Sequence, residues 1–269
     1  MTQMSCRRIE WNLMTDWNLV KKMTLWHYED LIMKMLRVLS YNFIKEYYNH
    51  DMKEARIYTK KLLGCYPKHK QLVNTLTNTF EKLEDSGIRN YSDLVHQVET
   101  REKCKAFLEK SELPFIDLIS TLNYVFRWVL PFRNVYLKKL VDTNNEIHEE
   151  YIEKLRECNI RFNLDILEYG RTKEGRKKIS VETGVPEAFI SNLTNKADLT
   201  RLPFMNWKTV NHLFEAGYNG LNKLAEAGPE RLKEDMKTYF DRKGIKLGPF
   251  IDLKGLILWA KYVPKIIES

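Results

Sequence analysis

Leu202-Pro203-Phe204-Met205-Asn206 restates, 72 residues further along, the pattern of Leu130-Pro131-Phe132-Arg133-Asn134. Each pentapeptide stands just ahead of a helical-looking segment, and no strand-like alternation surrounds either one. The register between them holds beyond the pentapeptides. Ile88-Arg89 pairs with Ile160-Arg161, Asp93 with Asp165, Glu102 with Glu174, Lys105 with Lys177 and Pro114 with Pro186. Chance supplies one pentapeptide; it is a poor account of several matches in one register. A further echo lies near the end of the chain, where Pro114-Phe115-Ile116-Asp117-Leu118 reappears as Pro249-Phe250-Ile251-Asp252-Leu253. Two full units and a partial third are expected, each built of short helices and tight connections.

Outside the repeats the signals are also helical. Gly is low at 11 and Pro at 8, and apolar residues recur mostly at spacings of three and four. A helix beginning near Trp26 is predicted to run toward Tyr48. The turn Asn49-His50-Asp51 follows, then a helix from Met52 to about Gly64 and a third from about Gln71 to Leu83. Tyr47, Tyr48, Ala55 and Pro67 give the stretch 40–67 the look of a single tetratricopeptide-like hairpin, with a plain helical hairpin as the equal alternative. The predicted fold class is all-α: residues 1–86 as an N-terminal helical region, 87–157 as a first repeat, and 158–269 as a second repeat plus a partial third.

Bulk composition narrows the class of function. Of the 269 residues, 43% are hydrophobic and 30% charged, the balance of a folded globular chain rather than a disordered one. No run of about 18 apolar residues is present, so no membrane span is expected. The first residues lack the apolar core of a secretory signal, which gives a cytoplasmic expectation. The net charge is +8, distributed as about +4 over 1–86, −1 over 87–157 and +5 over 158–269. That excess suits phosphate or acidic protein as a partner. Cys6, Cys65, Cys104 and Cys158 are scattered without a C-x-x-C pair, and are expected as buried free thiols.

The segment Gly175-Arg176-Lys177, Thr183-Gly184-Val185, Ala197-Asp198-Leu199, Leu202-Pro203 and Glu215-Ala216-Gly217-Tyr218…Leu221…Leu224-Ala225 resembles an uncharacterised, mostly prokaryotic family. Its members are built from tandem helix-hairpin-helix units and are catalogued only as a domain of unknown function. The resemblance covers about 158–232 and, through the internal repeat, extends more weakly over 87–157. It implies a connecting hairpin that usually reads Leu-Pro-Gly-x-Gly, whose glycines permit positive φ and let phosphate approach bare backbone N–H groups. Here Phe132 and Phe204 stand at the first glycine position, and Asn134 and Asn206 at the second. Asn tolerates the left-handed conformation, whereas a Phe ring obstructs phosphate and offers an apolar surface to a partner. The hairpin is therefore expected to shape helices while its anion site is weakened. Gly217, Gly228 and Pro229 are read as helix punctuation.

The densest basic cluster is Arg171, Lys173, Arg176, Lys177 and Lys178, interrupted by Glu174. At a helix start such side chains and backbone donors can hold nucleic-acid phosphate; a solvated helix face is the equal alternative. The stretch is not a P-loop: Gly170-x4-Gly175 is followed by Arg176-Lys177-Lys178 with no hydroxyl to hold Mg²⁺ and no strand before it. The histidines form no H-E-x-x-H or Cys/His array, and His148-Glu149-Glu150 is a charged helix face first. No nucleophile elbow exists. No catalytic residue, metal or cofactor is expected. Most tryptophans belong to the core by their spacing, with Trp11, Trp17 and Trp26 as candidates to dock on a partner or on the later repeats.

The leading expectation is thus a non-catalytic nucleic-acid-associated protein that grips DNA or RNA phosphate through Arg171, Lys173, Arg176, Lys177 and Lys178, joined by Lys208 and the backbone beside Asn206. Nothing in the chain is built to enter a groove and read bases, so binding is expected to be largely sequence-nonspecific. The competing expectation is a protein–protein adaptor or oligomerising scaffold that uses Phe132 and Phe204 as apolar contacts.

Overall fold

The computed structural model describes residues 15–142, 144–245 and 252–268. Trp11, Cys6 and the Pro249–Ile251 part of the third echo lie outside them. Among the described residues the chain is all-α, with sixteen α-helices and no sheet. It divides into two compact units, one ending at Phe132 and the other beginning at Arg133. The divisions expected near 86 and 157 fall inside these units.

The first unit holds α1 (Trp17–Thr24), α2 (Tyr28–Leu39), α3 (Asn42–Tyr47), α4 (Met52–Leu63), α5 (Lys70–Asp85), α6 (Tyr91–Gln97), α7 (Arg101–Ser111) and α8 (Phe115–Tyr124). The helix expected to run unbroken to Tyr48 is interrupted. The Ser40 hydroxyl donates to the Arg37 carbonyl at 2.7 Å, and Tyr41 leaves the helical region before α3 begins. Short polar side chains that bond back to the backbone compete with helix in this way. The Asp51 carboxylate accepts from Glu54 N at 2.7 Å and the Glu54 side chain reaches back to Asp51 N, a reciprocal cap that starts α4. The extensively packed pair is α4 with α5. Fully buried Ala55 lies on α4, and Leu76, Phe80 and Leu83 on α5. The helical hairpin therefore spans 52–85 rather than 40–67. Trp17 packs edge-on against Tyr28 and Phe115 at 4.7 and 5.1 Å, and Trp26 against Phe126 at 5.2 Å. Both tryptophans are half-buried in the internal packing of this unit.

The second unit holds α9 (Glu146–Glu157), α10 (Asn163–Gly170), α11 (Lys173–Thr183), α12 (Glu187–Leu199), α13 (Trp207–Glu215), α14 (Leu221–Glu226), α15 (Pro229–Lys243) and α16 (Leu253–Tyr262).

The 72-residue register is carried in the helix ends. Arg101–Ser111 maps onto Lys173–Thr183 end for end. Thr100 and Thr172 each cap the following helix by accepting from the third backbone N–H, that of Lys103 and of Gly175. Glu112 and Gly184 each end it in the left-handed conformation, at φ 53° and 68°. Upstream, Gly87 at φ 84° answers Asn159 at φ 61°, and Ile88 and Ile160 close the same turn onto Leu83 and Leu155, both at 3.0 Å. Arg89 N and Arg161 N donate to Asp93 and Asp165. The end of α13 repeats this turn a third time, with Gly217 at φ 97° and Tyr218 N on Leu213 O at 2.8 Å.

The two pentapeptides, however, adopt unlike conformations. Leu202–Asn206 is a tight turn: Met205 N donates to Leu202 O at 3.2 Å, Phe204 takes φ 60°, and Asn206 is extended at φ −110°. The left-handed residue is thus the Phe and not the Asn, and Asn206 caps α13 by accepting from Thr209 N at 3.0 Å. In the first copy α8 runs on into a π-helical turn, Val125–Val129. Leu130 is extended, and Phe132 does not take positive φ. The cause lies just beyond. Fully buried Asn163 accepts from Val135 N at 2.8 Å and donates to Arg133 O and the Thr200 hydroxyl. Leu137 N and Asn163 N complete a bridge between 135–137 and 161–163. One buried amide holds the chain that follows, and the first copy makes a three-residue turn at Pro131, with Phe132 N donating to Leu130 O at 2.8 Å, where the second makes a four-residue turn.

Candidate functional site

The predicted basic cluster does not form one surface. Thr172 and Gly175 start α11, and Gly175 is required there: a Cβ would lie 2.0 Å from the Tyr169 carbonyl oxygen. Arg176 is buried at 7% exposure. Its guanidinium donates to the carbonyls of Gly170, Arg171 and Glu268 at 3.0–3.2 Å. It ties the end of α10 and the segment 263–268 together. The α11 N-terminus, the expected anion site, already holds an anion: the Glu268 carboxylate accepts from Lys173 N at 3.0 Å. Arg171 is half-buried with its guanidinium 4.0 Å from Glu168. Lys173, Lys177 and Lys178 remain exposed, and Lys178 lies 3.8 Å from Glu182.

Phe132 and Phe204 are each half-buried against aromatic neighbours of their own unit. Phe132 meets Phe126 at 4.7 Å and Trp26 at 6.1 Å, and Phe204 meets Trp259 at 6.0 Å. They offer less apolar surface to a partner than the sequence leads one to expect.

Within the second unit, residues 72 apart touch. Arg133 donates to Met205 O at 2.9 Å, and Asn211 donates to Lys139 O at 2.9 Å. These contacts set 133–142 beside α13 and open a groove of about 690 Å³ bounded by α9, α12, α13 and α15. Lys208, a predicted site residue, stands on it; Asn206 caps the helix that forms its wall. The Lys139 and Lys208 ammonium groups lie over the Trp207 ring, 5.3 and 5.5 Å from its centre. Lys196 donates to Leu140 O at 2.7 Å and to Asn211 at 3.1 Å, with Phe214 at 5.0 Å. Burial holds the Lys196 pKa below the ordinary lysine value, against the opposing pull of Glu215 and Asp142.

A polar chain ties His212 and Glu215, further along α13, to Tyr239 and Lys243 of α15. The Tyr239 hydroxyl donates to Glu215 at 3.1 Å and lies 3.0 Å from His212 Nδ1. Because that hydroxyl gives its proton to Glu215, Nδ1 is the donor in the second contact. Burial depresses the His212 pKa. For Glu215 burial acts upward, but hydrogen bonds from Lys243 and Tyr239 outweigh it and hold the carboxyl below its usual value. Lys243 sits 3.0 Å from that carboxylate. Tyr239 is pushed up to about 12 by burial and by Glu215. His148 turns from the acidic face of α9 to stack on Phe189 at 5.2 Å, and its buried Nδ1 has no hydrogen-bond partner among the described residues.

Sequence reasoning reached Lys208 and Asn206 through the hairpin, but not Lys139, Lys196, Trp207, His212, Tyr239 or Lys243. These come from four separated segments. The only sequence signal was the register itself, which sets Lys139 opposite Asn211.

Among the described residues, no group of three or more His, Cys, Asp or Glu side chains can hold a metal ion, and no helix is long and apolar enough to cross a membrane. Cys104 is buried, its thiol pushed up to about 11 by burial. Cys65 and Cys158 are free but exposed, contrary to the expectation of buried thiols.

Residues 145–262 match the protein family described as Domain of unknown function (DUF4332). No curated protein and no solved structure matches the chain.

Proposed function

We propose that this chain is a non-catalytic nucleic-acid-associated protein whose second unit binds phosphate backbone largely without sequence specificity. The observation that carries the reading is the lysine-flanked ring of Trp207. Lys139 and Lys208 converge on it from two segments, and Lys196 and Lys243 line the same groove against Asp142 and Glu215. Lysines gathered around an aromatic ring suit a polyanion that also carries flat bases. The reading treats α12, the turn at Leu202–Asn206 and α13 as a helix-hairpin-helix unit, with Phe204 in the left-handed position that glycine usually takes. The phosphate contacts are then supplied by the side chains of Lys208 and Lys139 rather than by bare backbone. Lys173, Lys177 and Lys178 are exposed charges on α11, outside the lining of the groove. Arg171 and Arg176 act in folding. Packing of Phe132 and Phe204 against their own neighbours weighs against the adaptor alternative.

The test is fluorescence anisotropy with labelled oligonucleotides over a salt series. Affinity should fall steeply with salt, and Lys139→Glu/Lys208→Glu should weaken binding on every sequence and flatten the slope by about one unit per lost phosphate contact. Salt-independent binding, or a double variant that binds like the parent, rejects the reading.

A further inference from the structure

We infer that the groove beside Trp207 takes an unstacked nucleobase, so that the favoured ligand class is a single strand rather than a duplex. This rests on the proposed function and names the form of nucleic acid.

The lining has the composition of a base slot. Phe189, Trp207 and Phe214 supply three rings on α12 and α13, with His148 tilted at 47° against the first of them. Lys196, Lys208 and Lys243 supply positive charge on the same walls. A volume of about 690 Å³ falls within the ordinary range for small organic ligands, ample for one nucleotide and far too small for a double helix. Bases within a duplex are stacked on their neighbours and present only their edges, whereas a single strand can turn a base out onto an aromatic face. A groove serving phosphate alone would gain nothing from rings in its wall. His212 is held by Tyr239 with Nδ1 as donor, which makes Nε2 an acceptor suited to the N–H edge of a base.

Four probes of equal length separate the terms, each titrated into the full chain at one salt concentration: oligo-dT, the same strand with abasic sugars, a duplex, and inorganic polyphosphate. Oligo-dT should bind about tenfold more tightly than the abasic strand, the scale of one base–aromatic stack. Trp207→Leu should weaken oligo-dT by about tenfold more than the abasic strand, so that the preference is lost, while Trp207→Phe should keep most of it. Equal affinity for dT and abasic strands, or equal loss on both in Trp207→Leu, overturns the base slot while leaving phosphate binding standing. Failure of the parent to bind any probe rejects the proposed function and this inference together. Should Trp207→Leu not fold, photo-crosslinking of the parent to a 5-bromouracil strand decides the matter: attachment within 202–215 supports the slot, and attachment confined elsewhere removes it.

Discussion

Helices α7 and α11 share length, N-cap, left-handed C-cap and register, yet the interior beneath them differs. At the position where α7 buries Cys104, α11 buries Arg176. Where α7 carries Lys103 on its surface, α11 carries Gly175 pressed against the Tyr169 carbonyl. Downstream, the two pentapeptides turn differently, over three residues in one and four in the other. Local backbone conformation therefore matches between the two helices, while the contacts that depend on distant residues differ. Caps and turns need only their own few residues; a buried guanidinium needs acceptors from several elements at once.

The sharpest way to break this comparison is at Gly175. Gly175→Ala should destabilise the protein by about 2–3 kcal/mol, the cost of forcing backbone apart in a packed site, and thermal unfolding would show it. Lys103→Ala at the matching position should stay within about 0.5 kcal/mol; equal costs at the two sites would mean that the α10–α11 approach is not as close as described. Next comes the buried pair. Arg176→Leu removes the guanidinium from three carbonyls, of which Arg171 O keeps its bond from Glu268 N, and should cost about 2–4 kcal/mol, whereas Cys104→Ala should cost about 1 kcal/mol.

The aromatic residues of the two pentapeptides give the third comparison. Phe204→Gly relieves a left-handed residue, worth about 1 kcal/mol, which offsets much of the lost ring packing; net stability should change little. Phe132→Gly has no such strain to relieve and pays glycine's backbone entropy as well, so a loss of about 2–3 kcal/mol is expected from denaturant titration. Reversal of that order would show the two conformations to be exchanged. The smallest difference is expected at the caps: Thr100→Ala and Thr172→Ala should each cost about 1 kcal/mol, and near-equality is the point.

Much of the fold was legible because its signals are local. Gly217 and Pro229 mark helix ends in the sequence and in the structure; Asp51 with Glu54, Thr100, Thr172 and Gly184 carry signals of the same short range that the sequence reading did not use. The misreadings share the opposite character. Ser40 breaks a helix whose apolar spacing continues through it. Arg176 sits in a run of exposed-looking basic residues, and only its burial on the fourth position of α11, beneath segment 263–268, separates it from Lys173 and Lys177. The groove lies further out of reach, since its walls are drawn from residues 140–142, His148, 189–196, 207–215 and Lys243.

From the chain alone came the all-α class, a 72-residue register of matching residues, and the helix punctuation at Gly217 and Pro229, because helical class and helix ends are set by neighbours within about four positions along the backbone. Tertiary structure alone decided that Asn163 holds the chain after one pentapeptide and not the other, that Glu268 occupies the α11 N-terminus, and that lysines from two segments meet over Trp207. Those outcomes depend on which buried polar groups find partners, and partners far apart in sequence are chosen only when the helices pack.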